Sequence, residues 1–475
     1  MFRYFCVLAT ASLCSVASAT PNVLLICVDD LRPELGCYGV EYVDSPHIDR
    51  LAAGGRRFVN HFVQSPTCGA SRFALLTGCY GPGGNHGLFR RADAIRAGRI
   101  DVTPSLPALL RTNGYTTVSV GKVSHHPGGR GGKDWDDGAV PEMPESWDRH
   151  LMPVGPWRHP RGAMHGLADG EIRDDSPPGG MAGLQSAPGD DATYPDGLIA
   201  DEALRQLDEL DAAGGPFLLA VGFIRPHLAF GAPERYMAAY AGVELPPIPH
   251  PVKPRHRSTW HKSGEFRRYD HAADANADAA YADEVRRHYA ACVSYADAQV
   301  GKLLDRLDEL GLADDTVVVL WGDHGWHLGE HAIWGKHCLF DEALRSPLIV
   351  RVPGIAAAGE ASPAFVATVD VYPTLCDLLD VAAPPGLAGE SLVPQLARPA
   401  ANERAVFSYH TRAATLRGPG FRYIEHDSGA TEYYVHAEDD ADAETRNLAA
   451  DFPEEVARLS AELDRRQSFR LRFGD

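Results

Sequence analysis

The chain has little positive charge for its size. Its 475 residues include 45 lysines and arginines but 64 aspartates and glutamates, which gives a formal net charge of −19 at pH 7. This balance argues against a nucleic-acid partner, because a phosphate backbone requires a basic face on the protein. An anionic ligand would need a local basic pocket that overrides the acidic field of the whole molecule.

Long apolar runs are absent beyond the N-terminus, so the sequence predicts no transmembrane anchor. The N-terminus itself has the pattern of an export signal. Arg3 supplies a positive charge, residues 5–16 are mostly apolar, and Ala17-Ser18-Ala19 fits a cleavage site. We therefore predict a signal peptide over residues 1–19 and an exported protein, located in the periplasm, outside the cell or in a lysosome-like compartment.

Cysteine is scarce as well, with nine residues in the whole chain. Cys6 and Cys14 lie in the predicted signal peptide, which leaves seven in the mature protein. Their spacing matches neither a disulfide framework nor the paired ligands of a zinc site. We expect most of the seven to be buried thiols, and the odd number leaves room for one with a function.

Beyond the signal, apolar runs of strand length alternate with helical patterns. Strands are predicted at residues 22–28, 116–120, 217–223, 317–321 and 348–352. Apolar residues at helical spacing predict helices over residues 198–210 and 285–307. The expected fold class is α/β, with a mostly parallel sheet flanked by helices.

Two regions depart from this alternation. Residues 125–195 are rich in glycine and proline, and we predict long surface loops that border a substrate cleft. Near residue 400 the composition changes, and the remaining sequence predicts a hairpin followed by an amphipathic helix. The predicted organisation is a catalytic domain over residues 20–400 and a small C-terminal α+β subdomain over residues 401–475.

Acidic side chains follow two of the predicted strands. Asp29 and Asp30 come directly after the first strand, and Asp323 and His324 follow the strand at residues 317–321. Each pair is also compatible with an ordinary turn. Together they offer three carboxylates and an imidazole where open α/β sheets place ligands, which indicates a site for a hard cation such as Ca²⁺ or Mg²⁺ rather than zinc.

Cationic side chains follow other strands. Lys122 and His125 come after one predicted strand, His227 follows another, and Lys336 lies shortly after the Asp-His pair. Any one of them alone is typical of a surface residue. Several polar segments at strand ends in a single α/β chain favour an anion-binding site instead.

Cys68 lies at the start of a short apolar helical run, four residues before Arg72. Backbone N–H groups at a helix start and a nearby cation both favour negative charge at this sulfur. A buried structural cysteine is the alternative when the residue is taken alone.

In chain order these segments resemble the signatures of the type I sulfatase family. The matching stretches are Asp-Asp at 29–30, Cys-x-Ala-x-Arg at 68–72, Gly-Lys-Val-x-His at 121–125, Arg-Pro-His at 225–227 and Asp-His-Gly-Trp-His-Leu-Gly-Glu-His at 323–331. The resemblance covers roughly residues 20–380, and its motifs are closest to the iduronate-2-sulfatase branch. It implies an alkaline-phosphatase-like fold and the hydrolysis of sulfate esters.

The resemblance also implies a metal site and a modified residue. The divalent metal, usually Ca²⁺ with Mg²⁺ as the alternative, would be bound by Asp29, Asp30, Asp323 and His324. Cys68 would be oxidised to formylglycine by a formylglycine-generating or anaerobic sulfatase-maturing enzyme, and it would complete the coordination of the metal. The hydrate of this aldehyde would attack the sulfate ester.

Cationic residues would surround this nucleophile. By the same resemblance, Arg72 would support the aldehyde hydrate, and Lys122 would hold both the hydrate and the sulfate. His125 would act as the base on the second hydroxyl of the hydrate. His227 and Lys336 would bind the sulfate and help the leaving alcohol depart.

A sulfated carbohydrate is the substrate that the resemblance implies, such as 2-O-sulfated uronates of glycosaminoglycan-like or algal polysaccharides. In the tail, His410, Arg412 and Arg417 are candidates for contacts to a substrate carboxylate, with ordinary surface positions as the alternative. Two other functions stay open. One is a phosphomonoester or phosphonate hydrolase of the same superfamily, and the other is a catalytically inactive protein that binds sulfated glycans.

Overall fold

The computed structural model describes residues 20–99, 102–132, 141–173, 180–254, 263–437 and 444–470. The predicted signal peptide lies outside these residues. The strands are β1 (Asn22–Val28), β2 (Arg56–Phe62), β3 (Thr116–Gly121), β4 (Arg149–Leu151), β5 (Leu184–Ala187), β6 (Phe217–Phe223), β7 (Phe230–Pro233), β8 (Thr316–Gly322), β9 (His327–Leu328), β10 (Trp334–Gly335), β11 (Leu348–Arg351), β12 (Ala361–Ala367), β13 (Val406–His410), β14 (Ala413–Gly418), β15 (Phe421–His426) and β16 (Thr431–Val435). The helices are α1 (Pro46–Ala53), α2 (Cys68–Thr77), α3 (Gly87–Arg96), α4 (Leu106–Thr112), α5 (Pro160–Ala163), α6 (Pro195–Ala213), α7 (Glu234–Ala238), α8 (Ala279–Glu309), α9 (Asp341–Leu344), α10 (Val371–Leu378), α11 (Val393–Ala397) and α12 (Pro453–Gln467).

The main sheet has the strand order β12-β2-β11-β8-β1-β6-β3-β4. Four neighbours in it, β8, β1, β6 and β3, run parallel, and Ile26 of β1 is paired with Leu320 on one side and Val221 on the other. Because the carboxyl ends of parallel neighbours meet at one edge of a sheet, the segments that follow these four strands converge. The predicted mostly parallel sheet is confirmed.

One predicted strand runs against this direction. β11 is antiparallel to both of its neighbours, β8 and β2. The reason lies in the chain path between Gly322 and Leu348, which stays at the edge of the sheet where β8 ends. There the N–H of Gly322 donates to the carbonyl of Pro347 at 2.9 Å, and β11 starts from this edge and runs back. The sheet is therefore mixed.

Both faces of the main sheet are buried, and β1 shows why its sequence is continuously apolar. Leu24 and Ile26 belong to one apolar cluster, whereas Val23 and Leu25 belong to another. Successive side chains of a strand point to opposite faces, so a strand covered on both sides needs apolar residues throughout. Helices α6 and α8 cover the first face, and α2, α4 and α10 cover the second.

The C-terminal part forms a separate antiparallel sheet in the order β13-β14-β15-β16. The predicted hairpin is β15 and β16, in which Tyr423 pairs with Tyr433. Helix α12 packs on this sheet through the buried Leu459 and Leu463, and the same apolar cluster includes Phe62 of β2. The small C-terminal subdomain thus packs against the main sheet, and its boundary near residue 400 stays a prediction.

The region at residues 125–195 is buried more deeply than we expected. Trp157, Ala163 and Leu167 are fully buried, and the indole N–H of Trp157 donates to the carbonyl of Leu167 at 2.6 Å. The expectation of surface loops is wrong for this part, because apolar side chains without any periodicity still pack on the core. Residues 133–140 and 174–179 of this region lie outside the described residues.

Two further expectations concern cysteine and membrane segments. The seven cysteines of the described residues are all free, and six of them are buried. No helix in the described part of the chain is both long enough and apolar enough to cross a membrane.

Gly222, the penultimate residue of β6, lies against the backbone of Lys122. A Cβ at this position would lie 2.1 Å from both the carbonyl carbon and the carbonyl oxygen of Lys122. The backbone of Lys122 cannot move aside as easily as the end of a flexible side chain could. We therefore expect Gly222→Ala to lower the free energy of unfolding by about 1–3 kcal/mol. Gly131→Ala is the matched control, because its Cβ would meet nothing within 4 Å. Chemical denaturation measures both variants, and equal stability for the two would contradict this packing.

Candidate active site

Polar side chains from separate segments meet at the carboxyl edge of the main sheet. They are Asp29 and Asp30 after β1, Cys68 and Arg72 of α2, Lys122 after β3, His227 after β6, Asp323 and His324 after β8, and Lys336 after β10. Each of them is buried. Neighbouring parallel strands therefore bring together residues that are far apart in the sequence.

Cys68 is the first residue of α2 and is 3% exposed. Its Sγ lies 3.3 Å from Nε2 of His324 and 3.4 Å from Nζ of Lys336. The backbone N–H of Gly69 donates to Oδ1 of Asn85 at 2.9 Å, which fixes the first turn of the helix. The sulfur thus lies where the helix dipole and a lysine both favour negative charge.

The Cys68 thiol is nevertheless a poor nucleophile. Burial and the charge of Asp29 raise the pKa of Cys68 well above its usual value. Reactive cysteines have the opposite property, because the thiolate is the nucleophilic form and their pKa is lowered. Unmodified Cys68 therefore lacks the lowered pKa that marks a reactive cysteine.

Arg72 is the centre of a fully buried ion-pair network. Its Nη2 lies 3.0 Å from Oδ1 of Asp29 and 3.0 Å from Oδ2 of Asp323. Its Nη1 donates to the carbonyl of Val123 at 3.1 Å and to the carbonyl of Lys122, while Nζ of Lys122 contacts Oδ2 of Asp29. Arg72 thereby holds the ends of three strands in one arrangement.

Four ligand atoms lie close enough together to hold a metal ion. Asp29, Asp30, Cys68 and His324 each place one ligand atom within 4.8 Å of the others. Oδ2 of Asp30 is buried and has no hydrogen-bond partner, and a buried polar atom of this kind calls for an explanation such as an ion. Carboxylate oxygens favour a hard cation, so the residues present fit Ca²⁺ or Mg²⁺.

Asp323 lies beside these four residues. Its Oδ1 accepts a hydrogen bond from the N–H of Asp30 at 2.9 Å and is 3.6 Å from Nε2 of His324. Burial and the charge of Asp29 raise the pKa of Asp323 to about 7, and burial raises the pKa of Asp30 above its usual value. Burial destabilises the ionised form of both carboxyl groups, and a divalent cation bound beside them would stabilise it.

Glu265 connects two of the cationic residues. Its Oε1 lies 3.2 Å from Nε2 of His227, and its Oε2 lies 3.2 Å from Nζ of Lys336. The same Nζ lies 2.8 Å from Oδ1 of Asp30. Burial alone would raise the pKa of Glu265, but Lys336 and His227 hold it well below its usual range. No sequence motif marks this residue, and sequence reasoning missed it.

His125 is a neutral imidazole beside the same site. Burial and the nearby Lys122 ammonium lower the pKa of His125 well below its usual value. Its Nδ1 is buried without a hydrogen-bond partner. A neutral ring with a free nitrogen presents a lone pair to the site.

A cavity of about 280 Å³ opens beside these residues. The residues lining it that the sequence predicted are Cys68, Lys122, His125, His227 and Lys336. Those that sequence reasoning missed include Asn85, Arg161, His165, Arg173, Glu265, Arg268 and His337. Arg161 and Arg173 come from the region at 125–195, which does border the cavity, although no motif distinguishes them there. The cavity is a local basic pocket in an acidic protein.

The tail candidates lie apart from the cavity or at its margin. Arg417 is buried, with its Nε 3.1 Å from Oδ1 of Asp341. Arg412 is exposed in the turn between β13 and β14, and the ring of His410 lies 6.0 Å from that of His337. Neither arginine lines the cavity. The substrate contact predicted for Arg417 is not supported, because its guanidinium is paired with Asp341 inside the fold. The sequence does not reveal this pairing.

Comparison with known proteins agrees with these observations. The family model described as Sulfatase matches residues 21–381. Iduronate 2-sulfatase of Mus musculus is 32% identical over 440 residues, which cover 86% of this chain and 77% of that protein. A sulfatase of Formosa agariphila is 29% identical over 447 residues, covering 88% of this chain and 81% of that protein.

Solved structures share the fold. The phosphonate monoester hydrolase of Agrobacterium radiobacter aligns with a TM-score of 0.74 over 94% of this chain and 95% of that chain, at 23% sequence identity. A likeness at this identity establishes the fold and leaves the chemistry to the residues of the site. The alkaline-phosphatase-like fold predicted from the sequence is confirmed.

The placement of Arg417 predicts a structural role. Arg417→Ala leaves the Asp341 carboxylate with one buried arginine instead of two, so we expect the free energy of unfolding to fall by about 3 kcal/mol. Substrate affinity should not change. Arg412→Ala, at an exposed turn, is the control and should change neither quantity. Denaturation curves and KM values measure both, and a raised KM with unchanged stability in Arg417→Ala would contradict the structural role.

Proposed function

Because the chain belongs to the sulfatase family and is a sulfuric ester hydrolase, we propose that it hydrolyses sulfate esters of sulfated carbohydrates with a formylglycine made from Cys68. The surroundings of Cys68 are the observation that carries this proposal. Its sulfur lies among ligands that suit a divalent cation and a lysine that suits a sulfate. Its raised pKa, however, makes the unmodified thiol a poor nucleophile. Conversion of the thiol to an aldehyde would replace this poor nucleophile with a hydrate whose hydroxyl can attack the sulfate ester.

When hydrated, the aldehyde supplies one hydroxyl that attacks sulfur and a second whose deprotonation expels the sulfate afterwards. His125 is proposed to take up that proton, since its ring is neutral and its Nδ1 has no other partner. Arg72 is proposed to act indirectly, by holding the carbonyl of Lys122 and the carboxylate of Asp29 in place. Arg72 is therefore a positioning residue in this scheme.

Sulfate binding is proposed for the cationic side chains that line the cavity. Lys122 and Lys336 would neutralise the charge that develops on the transferred group. Nδ1 of His227 lies 2.6 Å from the carbonyl of Leu228, and its Nε2 faces Glu265. These two contacts fix the orientation of the His227 ring, which is proposed to bind the sulfate and help the leaving alcohol depart.

We assign a divalent cation, Ca²⁺ in preference to Mg²⁺, to Asp29, Asp30, Asp323 and His324. The buried and unpartnered Oδ2 of Asp30 supports this assignment. Asp29, Asp30 and His324 belong to the cluster of ligand atoms, and Asp323, whose Oδ1 is 3.6 Å from Nε2 of His324, adds a third carboxylate beside it. When bound, the cation supplies positive charge to the sulfate oxygens. The four residues fix its position with ligands from two adjacent parallel strands.

For the substrate, we propose 2-O-sulfated uronates in glycosaminoglycan-like or algal polysaccharides. The likeness to iduronate 2-sulfatase of Mus musculus supports this class. Three more arginines, Arg161, Arg173 and Arg268, line the cavity beyond the residues next to Cys68 and would pair with a carboxylate. Export through the predicted signal peptide, and maturation by a formylglycine-generating or anaerobic sulfatase-maturing enzyme, are parts of the same proposal.

A desulfation screen tests the proposed function. Defined sulfated oligosaccharides are offered to the enzyme, and released sulfate is measured beside the phosphate released from an ester with the same leaving group. We expect the fastest release from 2-O-sulfated uronates, with sulfate preferred over phosphate at least tenfold. Faster phosphate release would favour the phosphomonoesterase alternative. No release of either anion by fully matured protein would favour the glycan-binding alternative.

The nucleophile is tested by Cys68→Ala. We expect a folded protein with activity lowered at least about 10³-fold, because no aldehyde is formed. Cys376→Ala is the matched control, since that thiol is also buried and free but lies in the apolar cluster on one face of the sheet. Sulfate release is measured for both variants, with circular dichroism as the check on folding. Undiminished turnover in Cys68→Ala would contradict the assignment of Cys68 as the source of the nucleophile.

The role of His125 predicts a pH dependence. A base works in its neutral form, so its contribution is complete above its pKa and is lost as the pH falls through it. Because the pKa of His125 is lowered well below 6.5, we expect the acid limb of kcat/KM to lie below pH 6.5. His125→Gln should lower kcat and remove this limb. An acid limb above pH 6.5 that disappears in His125→Gln would contradict the prediction.

A further inference from the structure

A second cluster of ligand atoms lies on the segment that carries Lys336. His327, His331 and Glu342 each place one ligand atom within 4.8 Å of the others. Sγ of Cys338 lies 3.6 Å from Nε2 of His327. None of these four residues lines the cavity beside Cys68, and the proposed reaction uses none of them.

His331 is the most unusual member of this cluster. Its side chain belongs to a residue that is 1% exposed, and neither ring nitrogen has a hydrogen-bond partner. A buried polar group without a partner is destabilising unless a ligand satisfies it. The rings around it are those of Phe340, His250 and His327, at centroid distances of 4.6 Å, 5.8 Å and 6.0 Å. A lone pair on His331 is thus available next to the other ligands.

His327 has the orientation of a metal-binding histidine. Its Nδ1 lies 3.2 Å from the carbonyl of Gly335, so this nitrogen donates and Nε2 carries the lone pair. Nε2 lies 3.4 Å from Oε2 of Glu342, which has no hydrogen-bond partner of its own. The two lone-pair groups therefore face each other across a short gap.

One separation in this cluster matches that around a tetrahedral ion. Ligands bound at about 2.0 Å through nitrogen or oxygen stand about 3.3 Å apart around such an ion. The distance from Nε2 of His327 to Oε2 of Glu342 is 3.4 Å. Sγ of Cys338 lies 3.6 Å from both nitrogens of the His327 ring, so it is a neighbour of the cluster rather than one of its ligands.

We propose that His327, His331 and Glu342 bind a divalent transition metal of the zinc type. Two imidazoles and a carboxylate suit such an ion, whereas Ca²⁺ takes oxygen ligands. The site is distinct from the carboxylate-rich cluster at Asp29. It ties the β9–β10 hairpin to α9, and Lys336 directly follows β10. The ion stabilises the segment that places this lysine beside Cys68.

Zinc counting on the full-length protein tests the proposal. The protein is stripped with a chelator and equilibrated with excess Ca²⁺ and micromolar Zn²⁺, and retained zinc is measured by elemental analysis. The same count on Asp30→Asn excludes zinc held by the carboxylate-rich cluster. We expect one tightly held zinc ion per chain in both proteins, and a rise in the melting temperature when zinc is added.

Two variants of the cluster locate the ion. His331→Ala and the isosteric Glu342→Gln should each weaken zinc binding at least tenfold and abolish the rise in melting temperature. Circular dichroism checks their folding, and Glu360→Gln at an exposed position is the matched control that should retain the ion. Wild-type protein that retains no zinc would overturn the proposal and leave a carboxylic acid–imidazole hydrogen bond between Glu342 and His327. Zinc that is lost from Asp30→Asn but kept by His331→Ala would overturn it as well.

Discussion

The buried Arg72 guanidinium is the interaction on which the rest of the site depends. It is 3.0 Å from carboxylates that follow two different strands, Asp29 after β1 and Asp323 after β8, and it also holds the carbonyl of Lys122 after β3. A fully buried cation of this kind is tolerated only when every donor has a partner. The ligands of the proposed cation and the lysine beside them therefore cannot shift independently.

Burial is the physical reason for proposing a modified residue at position 68. The same environment that holds Lys122 and Lys336 close to the carboxylates also raises the pKa of Cys68, so cationic neighbours do not produce a thiolate. A sulfate ester resists hydrolysis because its transferred group is anionic and its leaving group is poor, and charge neutralisation in a water-poor pocket addresses both difficulties. The pocket is basic although the whole protein is acidic, so its cations favour an anion locally against the field of the molecule.

The sequence predicted the residues at strand ends better than the residues between motifs. Continuous apolar runs marked β1 and β6 because strands covered on both faces permit no polar positions, and parallel pairing then brought Asp29 and His227 to one edge. Glu265 and Arg161 escaped prediction because their role depends on where irregular segments pack. Arg417 was assigned to the substrate because a sequence does not show that its partner is Asp341.

Mass spectrometry of the tryptic peptide over residues 58–72 tests the central claim most directly. Preparations with different degrees of maturation are compared for the fraction of Cys68 present as aldehyde and for the rate of sulfate release. The proposed formylglycine mechanism requires that the rate rises in proportion to the aldehyde fraction and approaches zero when Cys68 is entirely a thiol. Full sulfate release from protein whose Cys68 is entirely unmodified would contradict it.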